Sequence, residues 1–222
     1  MMCNVYLHRL DRAWDSYAHG VLVRFADDVL VMCKSREQAE AALARLRSLL
    51  AELGLEPKEA KTRIVHLAED SPGFDFLGFG HKWVRSRGVR GKRGVWFLAR
   101  WPSDKAMQRA RDRIRELTIR SRLRLPVEAM VEDLNVFLRG WAGYFRYGHS
   151  TIRFGKIRNY ALERMTLFIG KRHKRGRGFG MSVVAYLSPD QCGLISLNGI
   201  VVTPRAGKPW REKPNAGGER RR

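Results

Sequence analysis

At 222 residues and 44% hydrophobic content the chain can bury a real core as one large or two small domains, which excludes disorder throughout. Forty-three Lys and Arg against 22 Asp and Glu leave a net charge of +21, a field that implies a polyanionic partner. The excess is uneven, +5 over residues 1–100 and +16 over 101–222, so the second half is the expected gripping surface. No apolar run approaches 18 residues and no signal-peptide pattern is present, so a membrane partner is not expected.

Cys3, Cys33 and Cys192 are odd in number and lack C-x-x-C spacing, which fits a reducing, cytoplasmic setting without a disulfide framework or zinc ribbon. The six histidines are scattered, with no pair at a recognisable ligand spacing.

In chain order, Val5, Leu7, Leu10 and Trp14 have the spacing of an amphipathic helix. Val21–Phe25 and Val29–Met32, both rich in β-branched residues, flank Ala26-Asp27-Asp28 and predict a tight hairpin with two carboxylates at its tip. Aspartates are common in turns because their side chains bond nearby N–H groups. Here the flanks are apolar on both sides, which predicts a buried, rigid platform on which like charges need a cation between them. A pair of Mg²⁺ ions would meet that need, as in two-metal phosphoryl transfer.

Ser35 and Gln38 form a capping-box pattern, Ala39, Leu43, Leu46, Leu50 and Leu53 predict a buried helical stripe, and Gly54 supplies its stop. A turn with Pro57, Lys58 and Lys61 follows, then a strand predicted over Thr62–Leu67. Phe74–Trp83 reads as one strand that alternates aromatic and small residues around Gly78 and Gly80, with Phe74, Phe76 and Phe79 as core candidates. A Gly- and Arg-rich turn over Arg85–Arg93 leads to a second strand over Val95–Trp101.

Pro102-Ser103 caps a helix whose face is Met107, Ala110, Ile114 and Leu117, with Arg109, Arg111, Arg113 and Arg115 largely elsewhere. A second helix starts near Pro126 and carries Met130, Val131, Leu134, Phe137, Leu138, Trp141 and Phe145. A third, predicted over Ser150–Ile169, carries Ile157, Ala161, Leu162, Met165 and Phe168, and the three make a small bundle. Gly140 and Gly143 cost the middle helix roughly 1 kcal/mol each, which a close helix–helix contact or a close approach to RNA would explain. Trp141, Tyr144 and Tyr147 are candidates for base stacking; core spacing favours the interior for Trp141 and leaves Tyr147 open.

Lys171–Gly180 is a dense basic run whose glycines are expected to stop any helix, and phosphate contact is favoured over a merely solvated face. Short strands are predicted within Val183–Val202 and disorder over Thr203–Arg222.

Phe25-Ala26-Asp27-Asp28 resembles the aromatic-Ala-Asp-Asp box of reverse transcriptases. Lys58-Glu59-Ala60-Lys61-Thr62, Phe74-Asp75-Phe76-Leu77-Gly78-Phe79 and Leu138-Arg139-Gly140-Trp141-Ala142-Gly143-Tyr144-Phe145 extend the likeness, and in this order they resemble the group II intron reverse transcriptase/maturase family. The resemblance implies an α+β fold: distal palm over residues 1–80, a β-hairpin over 81–102, a three-helix maturase thumb over 103–170 and a basic, partly disordered tail over 171–222. It implies RNA-directed DNA synthesis coupled to intron RNA splicing, with structured intron RNA and primer–template duplex as partners.

On the same resemblance, Asp27 is a Mg²⁺ ligand, Asp28 completes the acidic pair, and Phe25 sits by the primer end. Lys61, preferred to Lys58, is a candidate general acid for pyrophosphate, with a solvated turn lysine as the alternative. Gly78 lies in the hairpin that grips the primer; Arg109, Arg113, Arg139, Tyr147, Lys171, Arg172, Lys174 and Arg175 are the nucleic-acid contacts expected of the thumb and tail. The family places a further catalytic Asp and the fingers well upstream. Only 26 residues precede Asp27, with Asp11 and Asp15 in a helix-like stretch, so the chain reads as the C-terminal part of a polymerase with an incomplete two-metal site. Two alternatives follow: a non-catalytic RNA-binding maturase module, or one half of a split polymerase whose fingers a second polypeptide supplies.

Overall fold

The computed structural model describes residues 2–86, 94–187 and 192–202, which divide into two compact units, Met1–Leu77 and Gly78–Arg222. The fold is mixed α+β, with small antiparallel sheets and helices.

In the first unit, helix α1 (Met2–Ala13) buries Leu7 and Leu10, and Trp14 follows it into the core. Val5 is 74% exposed and leaves the predicted buried face. A short helix α2 (Ser16–His19) is capped by the Asp15 carboxylate, which accepts from the N–H groups of Tyr17 at 2.8 Å and Ala18 at 3.3 Å. Gly20, at φ +85°, then turns the chain where a Cβ would stand 2.4 Å from the Met32 carbonyl oxygen.

The predicted hairpin forms from β1 (Val21–Phe25) and β2 (Asp28–Met32), antiparallel from Val21↔Met32 to Phe25↔Asp28. Strand alternation turns Leu22, Val29 and Val31 toward a core of Leu10, Trp14, Ala42, Leu46 and Leu49. The other face leaves Val21, Val23, Phe25 and Met32 exposed, so the platform is buried on one side and not on both.

Helix α3 (Arg36–Ala51) starts as predicted: Ser35 Oγ accepts from the Gln38 N–H, and Gln38 Oε1 accepts from the N–H of Lys34. It ends in a Schellman pair, Leu55 N–H to Leu50 O and Gly54 N–H to Ala51 O, with Gly54 at φ +67°. Its buried face is centred on Ala42, Leu46 and Leu49, rotated from the predicted stripe, because the hairpin packs beside Leu49 as well as Leu50.

The predicted strand over Thr62–Leu67 does not form. Its β-branched residues find no partner strand and Ile64 stays 44% exposed; β-propensity reflects fit to a half-buried pleated surface, which is absent there. Phe74–Trp83 is likewise not one strand: β3 (Phe74–Phe76) stops at Leu77 and Gly78, both at positive φ, +49° and +77°.

In the second unit β4 (Phe79–Arg85) pairs antiparallel with β5 (Trp96–Pro102), Phe79 opposite Pro102 and Arg85 opposite Trp96. Most of the predicted Arg85–Arg93 turn lies outside the described residues. Helix α4 (Asp104–Leu117), with Ser103 Oγ accepting from the Ala106 N–H, buries Met107, Ala110, Ile114 and Leu117 as expected. A 3₁₀ helix (Arg120–Arg124) leads to α5 (Val127–Phe145), and α6 (Thr151–Arg172) completes the predicted three-helix core. Met130, Leu134, Leu138, Ile157, Ala161 and Met165 are fully buried there.

The basic run departs from its expectation. Helix α6 extends through Arg172, and α7 (Arg177–Leu187) begins within the run and contains Gly178 and Gly180. A Cβ at Gly180 would lie 2.0 Å from the Thr166 carbonyl oxygen, so this glycine lets α7 meet the α6 backbone and does not stop a helix. Among the described residues the strands predicted within Val183–Val202 give way to the end of α7 and an irregular segment over 192–202, while residues 188–191, like the disorder expected over Thr203–Arg222, lie outside the described residues. That segment folds back onto α5: Asn135 Nδ2 donates to Gly193 O at 2.6 Å, its Oδ1 accepts from Ile195 N–H at 2.9 Å, and Leu194 and Leu197 are buried.

Candidate functional site

The first unit carries the acidic turn. Asp27 is a turn residue and Asp28 the first residue of β2; both are exposed, and neither carboxylate makes a hydrogen bond or ion pair to another described residue. Ala26 before them sits at φ +54°, a left-handed conformation costing a non-glycine residue roughly 1–2 kcal/mol.

Arg24 is what braces this turn. Its side chain is 11% exposed; Nε donates to Asp11 Oδ1 at 2.8 Å and Nη2 to Asp11 Oδ2 at 2.5 Å, a two-pronged pair with α1. Nη1 donates to the Ala26 carbonyl oxygen at 2.8 Å and to Asn4 Oδ1 at 3.1 Å. The hydrogen bond from Arg24 holds the Asp11 carboxyl below its ordinary value. Asp11 is thus committed to Arg24 and not offered as a ligand. Sequence reasoning missed Arg24, although a lone arginine inside an apolar strand at an inward position is the available signal.

The donor chemistry of Asp27 and Asp28, hard carboxylate oxygens on consecutive residues, suits Mg²⁺. Among the described residues no group of three or more His, Cys, Asp or Glu is arranged to hold a metal. Phe25 is 64% exposed beside them. Lys61 is exposed in the predicted turn, its N–H donating to Lys58 O at 2.9 Å.

The second unit carries the other candidates. Gly78, at φ +77°, lies where a Cβ would be 3.5 Å from the Phe145 ring, and its carbonyl accepts from the Ser103 N–H, so it joins the β4–β5 hairpin to the helical core. Phe79 packs edge-on against Phe145 with centroids 4.9 Å apart, whereas Phe74 and Phe76 belong to neither core cluster. Trp141 is half-buried between Phe145 and Phe154, as its spacing implied; Tyr147 lies under the Arg146 guanidinium at 5.0 Å.

Arg109 is exposed; Arg113 is exposed and pairs with Glu116 at 2.9 Å, and Arg139 lies 3.8 Å from Glu132. Lys171, Lys174 and Arg175 project at the α6–α7 turn, but Arg172 does not join them. Its Nη1 donates to the carbonyl oxygens of Leu123 and Leu125, which ties the 3₁₀ helix to the end of α6. That bond brings a segment bearing exposed Arg120 and Arg124 to the basic turn, two cations the sequence did not single out.

Around Gly140 and Gly143 no atom of the described residues lies within 4 Å of a would-be Cβ, and both are exposed, so a close contact between the described helices does not account for them. Among the described residues no helix is long and apolar enough to cross a membrane. The Cys33 and Cys192 thiols are free, and burial pushes both up.

A search of curated proteins found no match. Residues 1–81 match the family model of the reverse transcriptase (RNA-dependent DNA polymerase), and residues 107–184 match that of the group II intron, maturase-specific domain. With an acidic hairpin in the first segment and a helical bundle in the second, in that order, the chain belongs to the group II intron reverse transcriptase/maturase family.

Proposed function

We propose that this chain holds structured intron RNA and primer–template duplex through its second unit, and that Asp27 and Asp28 are two ligands of a polymerase Mg²⁺ site. The observation that carries the proposal is the pair of exposed, unengaged carboxylates in the reverse-transcriptase segment, alongside a maturase domain whose basic turn carries Lys171, Lys174 and Arg175. When bound, Mg²⁺ would activate a primer 3′-hydroxyl and stabilise the leaving pyrophosphate. The chain's own parts are simpler: Asp27 and Asp28 would hold the cation, Phe25 lies against the primer end, the hairpin that carries Gly78 grips the primer strand, and Lys61 Nζ carries a proton to the leaving group. A further carboxylate would complete the shell.

Primer extension on an RNA template with Mg²⁺, by the chain and its Asp27→Ala variant, tests the catalytic part. Extension lost in the variant supports it. A second reading, a non-catalytic RNA-binding module, is favoured by the lack of a three-ligand group among the described residues. No extension by either protein, with RNA binding unchanged in Asp27→Ala, would select it. Extension restored by a co-purifying polypeptide would select the split enzyme.

A further inference from the structure

We infer that Arg24 is the positioning residue of the acidic turn: anchored on Asp11 and Asn4 of α1, its guanidinium holds the Ala26 carbonyl, and thereby sets how Asp27 and Asp28 face a divalent cation. This rests on the proposed role of those two aspartates.

Three observations converge on it. First, Ala26 occupies a left-handed backbone without being glycine, so something must stabilise that conformation; its carbonyl accepts a side-chain hydrogen bond from Arg24 at 2.8 Å. Second, the guanidinium is not free to wander. Asp11 takes two of its donors in a fixed fork and Asn4 shares a third, so the position of the Ala26 oxygen is referred back to a helix packed in the core of this unit. Third, Arg24 lies on the inward face of β1 among Leu22, Val29 and Val31, where a side chain with no task would be apolar. Between Arg24 and the carboxylates the chain is only Phe25 and Ala26, so a shift of the Ala26 peptide moves Asp27 directly.

Groups one step removed from metal ligands commonly change metal affinity by about tenfold to a hundredfold when removed, and Arg24 fits that pattern through the backbone. Lysine keeps the charge but is a point donor; it serves Asp11 or the Ala26 oxygen and not both.

The test uses the full chain with Mn²⁺ as the probe, its binding followed by the spin-resonance signal of the free ion. The Ala26 backbone is read from its Cα and Cβ chemical shifts and its amide–Hα coupling. The variants are Arg24→Gln, Arg24→Lys, Asp11→Asn, Asp27→Asn and, as a purely structural control at the α2 cap, Asp15→Ala. Arg24→Gln and Asp11→Asn are expected to move Ala26 off its left-handed signature and weaken Mn²⁺ binding by about tenfold or more. Arg24→Lys recovers part of that loss, and Asp15→Ala lowers thermal stability without moving either readout.

Unchanged Ala26 signals and Mn²⁺ affinity in Arg24→Gln overturn the inference. If that variant does not fold, the same result in Asp11→Asn overturns it. The two layers separate cleanly. Binding lost in Asp27→Asn but untouched in the Arg24 and Asp11 variants sinks the clamp alone. Binding indifferent to Asp27→Asn sinks the metal role, and the Ala26 signals then decide by themselves whether Arg24 holds the turn.

Discussion

Arg172 Nη1 lies 2.7 Å from the carbonyl oxygen of Leu123, across 49 residues of chain, and this bond makes a residue of the basic run part of the scaffold. Its neighbours Lys171, Lys174 and Arg175 point to solvent. Arg172→Ala is therefore expected to lower stability by about 2 kcal/mol, through loss of charge-assisted hydrogen bonds to part-buried carbonyls. Lys171→Ala leaves stability within about 0.5 kcal/mol and lowers RNA affinity instead. Chemical denaturation and RNA titration of the two variants check this contrast.

Asn135 pins residues 192–202, beyond the end of the maturase match at residue 184, to the middle helix. Asn135→Ala removes both part-buried bonds, to Gly193 O and from Ile195 N–H, at a cost of about 1–2 kcal/mol. Limited proteolysis should then cut near Leu194 and Leu197, which are buried in the wild type. An unchanged cleavage pattern would contradict the pinning.

Two glycine substitutions should have opposite signs. At Gly180 a methyl group would collide with the Thr166 backbone, so Gly180→Ala costs about 1–3 kcal/mol by forcing α7 from α6. At Gly140 a Cβ meets nothing within 4 Å among the described residues, so Gly140→Ala gains about 1 kcal/mol from helix propensity. RNA affinity lowered in this stabilised protein would identify the exposed glycine face as a place of close approach by RNA. Thermal melts with RNA titration separate the two effects.

The Asp11–Arg24 pair predicts an acid sensitivity. Arg24 lowers the Asp11 carboxyl in the folded chain, and His8, 4.0 Å away, acts in the same direction. A depressed carboxyl contributes stability that is fully present above its unfolded value and is lost as pH falls through the folded one. The stability difference between wild type and Asp11→Asn should thus be constant near neutrality and shrink as pH drops below the ordinary aspartate range. A difference unchanged down to strong acid would contradict the pairing.

The parts of the fold read correctly from sequence are those where one local rule decides. The hairpin around Asp27, the Ser35 and Ser103 caps and the Met107–Ile114 face follow from periodicity and capping alone. The failures share a cause in tertiary context. Thr62–Leu67 had strand composition but no strand to pair with, and Gly178 and Gly180 signalled a break where Gly180 serves helix packing. The candidate site shows the same division. Its carboxylates were visible as a motif, whereas Arg24 acquires meaning only once α1 brings Asp11 beside it, and Arg172 changes role once the 3₁₀ helix packs against α6.

The most direct test of the central claim is the salt dependence of binding to a structured group II intron RNA, for the wild type and the combined Lys171→Ala, Lys174→Ala, Arg175→Ala variant. Phosphate contact predicts that log affinity falls linearly with log salt, and that the variant's slope is shallower by about one unit per lost contact. A wild-type slope near zero, or a slope identical in the variant, would contradict the assignment of the basic turn to RNA.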